Sequence, residues 1–198
     1  MRVDDFDYPL PDDLIAQDPL PRRDASRLMV VPPGTGVGGI RHRRFWDLPD
    51  WLRPGDCLVL NDSRVIPARL FARRPAAGGR VEILLVERLD DGSHGGRQEW
   101  RAMVRPGRRV REGETLLLAD DLYCRVVARD EQGGRRLRFE GPELERRLRA
   151  LGRMPLPPYI RRELRDPQRY QTVYAACEGS IAAPTAGLHF TPELLDRL

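Results

Sequence analysis

Short runs of alternating apolar and polar residues dominate the middle of the chain. The clearest run, residues 80–86, reads Arg-Val-Glu-Ile-Leu-Leu-Val. Such a pattern, rich in β-branched residues, is typical of strands that bury one face. Several short strands separated by glycine turns predict a small antiparallel barrel. The six predicted strands cover residues 68–72, 80–88, 99–104, 115–119, 123–128 and 135–139.

The residues before the predicted barrel suggest short strands and one short helix. Residues 27–31 and 40–45 flank a glycine-rich loop and predict a hairpin. Residues 45–52 predict a short helix with a proline in its first turn. Residues 57–61 begin with four apolar side chains and predict a buried strand.

Helical spacing returns after the predicted barrel. Apolar residues at positions 144, 148 and 151 predict one helix. A second helix is predicted from Thr191, a favourable N-cap, followed by Pro192. The sequence reaches Leu198 before this helix is capped, so we expect the N-terminal portion of a longer chain.

The change of pattern along the chain predicts two domains. Residues 1–63 and 141–198 are expected to form a mixed α/β domain, of which this chain supplies only a part. Residues 64–140 are expected to form an inserted six-stranded antiparallel β-barrel domain.

Positive charge is concentrated in one segment. The chain has a net charge of +4, and all 34 of its basic residues are arginine. Residues 64–111 contain 12 arginines and 5 acidic residues, which predicts a surface for a polyanion or, equally, a solvated basic surface. The absence of lysine excludes Schiff-base chemistry on a lysine.

Several other classes of protein fit poorly. Three cysteines and three histidines (His42, His94 and His189) are scattered, so we expect neither a disulfide framework nor a metal site. The apolar runs are far shorter than the roughly 20 residues of a membrane span. The acidic N-terminus does not resemble a signal peptide, so we expect a cytoplasmic protein.

Residues 34–39 match the G-x-G-x-x-G pattern of dinucleotide-binding loops. Such a loop requires a helix directly after it, because the helix N-terminus binds the pyrophosphate. Two prolines precede this segment and no helical period follows it. We therefore interpret it as a hairpin turn.

Three other segments carry candidate site residues. Asn61, Asp62, Arg64 and Arg69 follow the predicted buried strand, where they could bind hydroxyl, carboxylate or phosphate groups, although an Asx turn explains them equally well. Ser180, Thr185 and His189 lie in a run of small residues that allows close approach of a ligand. Arg101, Arg108, Arg109 and Arg111 predict an RNA-backbone clamp, with an ordinary strand and basic turn as the alternative.

Eight collinear segments together resemble one family, the S-adenosylmethionine:tRNA ribosyltransferase-isomerases of queuosine biosynthesis. They span nearly the whole chain. They are DFDYPLP at residues 5–11, LIAQ at 14–17, DASRLMV at 24–30, NDSRVIPAR at 61–69, WRAMVRP at 100–106, PLPPYI at 155–160, YQTVYA at 170–175 and GSIAAPTAGLHFT at 179–191. One departure is Ser63, where the family usually has threonine.

The resemblance implies a reaction and its partners. The ribosyl part of S-adenosylmethionine is transferred to 7-aminomethyl-7-deazaguanine in a tRNA with a GUN anticodon, and isomerisation gives epoxyqueuosine. Adenine and methionine leave. The resemblance also implies an α/β domain with an inserted β-barrel, no metal, and a protein that we expect to be monomeric.

The implied chemistry suggests roles for individual residues. Proton transfer next to the sulfonium needs a base and an acid, for which we expect His189 or Asp62. Arg64, Arg69 and Arg105 are expected to orient the methionine carboxylate or tRNA phosphates, and Tyr170 and Tyr174 to contact substrate. Two alternatives remain open, a non-catalytic RNA-binding fragment and an S-adenosylmethionine-dependent methyltransferase.

Overall fold

The computed structural model describes residues 2–34, 36–75, 78–90 and 96–198. The chain divides into two compact units, which we call unit 1 (Met1–Asn61, Leu156–Val173 and Thr185–Leu198) and unit 2 (Asp62–Pro155 and Tyr174–Pro184). The strands and α-helices are β1 (Arg27–Val30), β2 (Arg41–Arg44), β3 (Ser63–Val65), β4 (Arg69–Arg73), β5 (Arg80–Arg88), β6 (Arg97–Arg105), β7 (Thr115–Ala119), β8 (Leu122–Arg129), β9 (Arg135–Glu140), α1 (Leu144–Leu151), β10 (Cys177–Ser180) and α2 (Pro192–Asp196).

Six strands of unit 2 form a closed antiparallel barrel in the order β4-β5-β6-β9-β8-β7. This confirms the predicted barrel, and each strand begins and ends within two residues of its prediction. Together with the two smaller sheets and the helices, it confirms the predicted fold class.

Alternation of side chains explains the barrel core. Along β5, Val81, Ile83 and Leu85 are buried, while the residues between them are partly exposed. Leu137 and Phe139 of β9 are also fully buried inside the barrel. Each such side chain contributes about 1.5–3 kcal/mol relative to its exposed state, so the alternation fixes the register of the strands.

Helix α1 packs against the barrel through two buried leucines. Leu144 and Leu148 belong to the barrel core, as their helical spacing predicts, whereas Leu151 is 41% exposed. The helix ends at Gly152, whose backbone lies against Pro67. A Cβ atom at Gly152 would lie 1.9 Å from the Pro67 carbonyl oxygen, so only glycine allows this approach.

Unit 1 contains the predicted hairpin. β1 and β2 pair antiparallel, with Arg27 opposite Arg44 and Val30 opposite Arg41. The glycine-rich segment joins these two strands, as the hairpin-turn interpretation predicts; its Thr35 lies outside the described residues, as does His94. The predicted short helix is a 3-10 helix, Phe45–Trp51.

The predicted buried strand at residues 57–61 is wrong. This segment has no strand assignment and its side chains are exposed, with Val59 86% accessible. An apolar strand is buried only when neighbouring strands pair with it and a second layer covers it. Within the described part of the chain, no strand pairs with residues 57–61.

The two units are drawn differently from the predicted domains, because unit 2 also contains β3, α1 and β10. The domain boundaries at residues 63/64 and 140/141 therefore stay a prediction. Across the four described ranges, we find no helix with the length and apolar character that a bilayer span requires.

Candidate functional site

A short parallel sheet in unit 2 joins two segments that the sequence analysis singled out separately. β3 pairs with β10, so that Ser63 lies opposite Cys177 and Arg64 opposite Glu178. The carbonyl of Asp62 accepts hydrogen bonds from the backbone N–H groups of Ala176 and Cys177, at 2.8 and 3.2 Å. Two segments more than a hundred residues apart in sequence are thereby held side by side.

The register of this sheet shifts after Glu178, at Gly179. Gly179 has φ +128°, a left-handed conformation that favours glycine, and open space surrounds the position of a Cβ atom. The side chain of Ser180 donates to the Ala182 carbonyl at 2.7 Å and accepts from the Ala182 N–H at 3.2 Å. β10 therefore ends in a turn, and the space beside the Gly179 backbone is unoccupied by other described residues.

The polar side chains of β3 have specific partners. Arg64 donates to the carbonyl of Ala175 at 2.7 Å, so in this structure it fastens the backbone before β10. The exposed carboxylate of Asp62 lies 3.6 Å from the Cys177 thiol and, by its charge, raises the pKa of that thiol. Tyr174 is half-buried, which raises the pKa of its hydroxyl.

A cavity of about 310 Å³ lies next to this sheet, entirely within unit 2. Its walls come from β5 and β6 of the barrel, from α1, and from residues directly after β3 and within β10. The walls include Pro67 and Gly179, one from each of the two joined segments. Of the predicted site residues, Arg64 lies on β3, Ser180 on β10 and Asp62 directly before β3, and none of the three lines the cavity.

Ion pairs organise the rim of the cavity. Arg149 of α1 donates to both carboxylate oxygens of Glu178, at 2.9 and 2.8 Å, and to Glu145 at 2.9 Å. These hydrogen bonds lower the pKa of Glu178 and raise that of Arg149. Sequence reasoning missed Glu145 and Arg149, because an i,i+4 pair on a helix is usually a surface feature.

His189 belongs to unit 1, where it ends the 3-10 helix Thr185–His189. Its ring lies 5.3 Å from that of Phe45, and burial lowers its pKa, so the imidazole is neutral at neutral pH. Arg23 donates to the carbonyls of Leu188 and Gln168, at 3.0 and 2.8 Å, and so holds this segment. Arg23 was not predicted as a site residue, although it directly precedes a segment of the family resemblance.

The other predicted residues of unit 1 lie in different surroundings. Tyr170 is buried at the end of the 3-10 helix Pro167–Tyr170, whose N-cap is Asp166. Asn61 and Thr185 are exposed.

The predicted RNA-contacting arginines lie on the outside of the barrel or in one turn. Arg101 donates to Glu87 at 2.7 Å, and Arg108, Arg109 and Arg111 are exposed. The buried Arg135, which sequence reasoning missed, donates to the carbonyls of Gly107 and Val110 and so shapes this turn.

Arg69 and Arg105 lie on strands β4 and β6 of the barrel, at positions that alternate with buried side chains. Arg69 forms an ion pair with Glu82 at 3.1 Å, and Glu82 lies opposite Arg105 across β5 and β6. The structure therefore places these two arginines on the barrel, whereas Arg64 lies on β3.

Like charges face each other across neighbouring barrel strands. Arg101 lies opposite Arg136 between β6 and β9, and Arg138 lies opposite Arg125 between β9 and β8. Glu99 balances part of this charge, since it accepts from Arg138 at 2.7 Å. Directly opposed like charges destabilise a sheet, and ion pairs of Arg101 with Glu87 and of Arg136 with Glu99 offset part of this cost.

In the ranges that the structure describes, no group of three histidine, cysteine or acidic residues is arranged to hold a metal ion.

Comparison with known proteins gives a consistent result. A relative from Symbiobacterium thermophilum, named S-adenosylmethionine:tRNA ribosyltransferase-isomerase, is 54% identical over the whole chain. A relative of the same name from Thermotoga maritima is 52% identical. The chain spans 56% of the length of each of these two relatives.

A solved structure of an S-adenosylmethionine tRNA ribosyltransferase from Thermotoga maritima is also similar. The two chains are 40% identical, and the match covers 98% of this chain and 53% of the chain in the solved structure, with a TM-score of 0.38. The family model described as queuosine biosynthesis protein matches residues 3–198, and the chain therefore belongs to the queuosine biosynthesis protein family.

Proposed function

We propose that the protein acts in queuosine biosynthesis as an S-adenosylmethionine:tRNA ribosyltransferase-isomerase. It transfers the ribosyl group of S-adenosylmethionine to 7-aminomethyl-7-deazaguanine in the anticodon of a GUN tRNA, and isomerises it to give epoxyqueuosine. Adenine and methionine are released. The family match along residues 3–198 is the observation that carries this proposal. S-adenosylmethionine is thus a co-substrate, and the proposal requires no metal.

The proposed reaction needs a group that removes a proton from the carbon beside the sulfonium. Arginine remains protonated and the chain has no lysine, so the candidates are histidine, carboxylates and tyrosine. We propose His189 as the base because its lowered pKa keeps the imidazole neutral. The carboxyl group of Asp62 is the second candidate for proton transfer, to or from the departing adenine.

The remaining predicted residues have proposed roles in binding. We propose that the methionine carboxylate or the tRNA phosphates are oriented by Arg64, Arg69 and Arg105. A guanidinium group binds a carboxylate or a phosphate through two parallel hydrogen bonds. Substrate contacts are proposed for Asn61, Tyr170, Tyr174, Ser180 and Thr185.

For the tRNA backbone we propose the arginines of the barrel. Arg101, Arg108, Arg109 and Arg111 were predicted from sequence, and the opposed pairs on the outer barrel face support this surface. The proposed tRNA substrate also implies a cytoplasmic protein, and we propose that it acts as a monomer.

Adenine release tests the proposed reaction. The chain is incubated with S-adenosylmethionine and tRNA carrying the 7-aminomethyl base, and the relative from Symbiobacterium thermophilum serves as positive control. We expect adenine to form only when the modified tRNA is present. Adenine from the control but not from this chain would contradict the proposed activity of the chain.

A second candidate is a non-catalytic RNA-binding fragment. It is favoured by the excess of arginine over acidic residues in residues 64–111 and by the opposed arginines of the barrel. This candidate predicts tRNA binding that weakens steeply with salt, without adenine release. Binding that does not respond to salt would exclude it.

A further inference from the structure

Arg23 connects two distant segments of unit 1. It begins the 3-10 helix Arg23–Ala25, and its side chain is partly buried. Its guanidinium donates from one terminal nitrogen to the Leu188 carbonyl at 3.0 Å and from the other to the Gln168 carbonyl at 2.8 Å. Because a guanidinium is planar and rigid, these two hydrogen bonds fix both carbonyls relative to the helix that carries Arg23.

The residue after Leu188 is His189, which Arg23 contacts a second time. Burial lowers the pKa of His189, and a hydrogen bond between its ring and the backbone of Arg23 acts in the opposite direction. A hydrogen bond that favours the protonated form of a histidine is one that the ring donates, so the acceptor is the backbone carbonyl of Arg23. Arg23 therefore holds both the main chain before His189 and the imidazole itself.

Aromatic contacts restrict the same imidazole. The His189 ring packs against Phe45, with a distance of 5.3 Å between the ring centroids. Phe45 makes an edge-to-face contact with Phe190 at 5.0 Å, and its backbone N–H donates to the Ser26 carbonyl at 2.9 Å. The ring of His189 thus lies between a fixed aromatic side chain and the backbone of Arg23.

This arrangement determines which nitrogen of His189 is free to accept a proton. A neutral imidazole has one N–H group and one lone pair. When one nitrogen donates to a backbone carbonyl, the proton stays on that nitrogen and the other nitrogen presents its lone pair. A general base requires such a lone pair in a fixed direction.

We propose that Arg23 is a positioning residue for His189. Its backbone carbonyl holds the ring N–H and its guanidinium holds the carbonyl of Leu188, so that the lone pair of the other ring nitrogen keeps one direction. The proposal rests on the proposed function, because this direction matters for catalysis only if His189 removes the proton beside the sulfonium. That proton then moves from the carbon to the free ring nitrogen, and His189 becomes an imidazolium.

Nitrogen NMR of the 198-residue chain with isotope-labelled histidine tests the positioning, because the shifts of the ring nitrogens report the tautomer. The signals of His189 are identified by their loss in His189→Gln. At about pH 8, where the imidazole is neutral, we expect one tautomer in the unchanged chain and a mixture of both in Arg23→Gln. Arg23→Lys keeps a donor for one carbonyl and should give an intermediate mixture.

Arg169→Gln is the matched control. Arg169 also donates to two carbonyls of a distant segment, those of Pro21 and Leu20, at 2.9 and 2.7 Å. We expect its loss to lower Tm, as the loss of Arg23 does, but to leave His189 in one tautomer. A mixture in the unchanged chain, one tautomer in Arg23→Gln, or equal mixtures in Arg23→Gln and Arg169→Gln would overturn the proposal. If Arg23→Gln does not fold, one unaltered tautomer in Arg23→Lys would overturn it.

Adenine release separates a failure of this inference from a failure of the proposed function. We expect Arg23→Gln to lower kcat about 10- to 100-fold, with a smaller change in KM for S-adenosylmethionine. If the tautomers mix in Arg23→Gln but the unchanged chain releases no adenine, the proposed function is contradicted and the fixing of His189 by Arg23 remains. If the tautomers mix and kcat is unchanged, the positioning role is overturned and the proposed function remains.

Discussion

Gly152 allows the end of α1 to lie against the backbone of Pro67. It ends α1 with an ordinary negative φ, so its role is steric and does not depend on left-handed backbone. The carbonyl oxygen of Pro67, a residue of the cavity wall, lies where a Cβ atom would be. The sequence predicts the helix end at this glycine but not the reason for it.

We predict that Gly152→Ala destabilises the protein by about 1–3 kcal/mol, because the helix end and Pro67 must move apart. Urea unfolding measures the change. Gly38→Ala is the control, since nothing lies near the position of its Cβ atom. Equal stability of the two variants would show that the approach is not tight.

Protonation of His189 should couple stability to pH. Its pKa is lowered in the folded protein, so the unfolded chain binds a proton more readily below about pH 6.5. Stability therefore increases with pH between the folded pKa and about pH 6.5, and it decreases on acidification. We predict that His189→Gln reduces the loss of Tm between about pH 7.5 and about pH 5.5.

The exposed His42 provides the comparison for this effect. His42→Gln controls for the loss of a histidine from an exposed position, and the pH profiles of Tm of the two variants are compared. If His189→Gln and His42→Gln had the same pH profile, burial of His189 would not contribute to the acid sensitivity.

Among the elements, the outer face of β6, β9 and β8 carries opposed arginines, which cost stability, and it is the face that we propose binds tRNA. Arg101 faces Arg136, and Arg138 faces Arg125, across adjacent strands. Each opposed pair is unfavourable by a few tenths of a kcal/mol to about 1 kcal/mol. An anionic backbone bound over this face would convert the repulsion into attraction.

We predict that Arg136→Thr raises Tm, because it removes the charge opposite Arg101 and loses only a long, 3.8 Å ion pair with Glu99. The substitution should also weaken tRNA binding. The slope of log affinity against log salt should become shallower by about 1. Thermal unfolding and binding titrations at several salt concentrations measure the two effects. Arg146→Thr, on α1, is the control for removing an exposed arginine. A lower Tm with unchanged tRNA affinity would assign Arg136 a purely structural role.

For the whole molecule, local patterns predict local structure well. The alternation of apolar residues gives the strands of the barrel, because each strand has one buried face. Local patterns fail at residues 57–61, because an apolar run predicts a buried strand whether or not partner strands are present. The sequence also does not show which distant segments pair, as β3 and β10 do.

The candidate site is even less accessible from the sequence. The sequence identifies Asp62 and Ser180 as candidates, but it does not show that their segments pair side by side. The cavity beside them is built from the barrel, α1 and two strand ends, and Glu145 and Arg149 look like an ordinary helix-surface pair until the fold brings Glu178 to them. Only the three-dimensional structure reveals this combination.

The proposed function requires that the ribosyl group of S-adenosylmethionine, and not its methyl group, is transferred to tRNA. The most direct measurement uses two samples of S-adenosylmethionine, one labelled in the ribose and one in the methyl group, each incubated with the protein and tRNA carrying the 7-aminomethyl base. We predict that the ribose label appears in the anticodon nucleoside while the methyl label leaves with methionine. Methyl label in the tRNA, or no label in it from either sample, would contradict transfer of the ribosyl group by this protein.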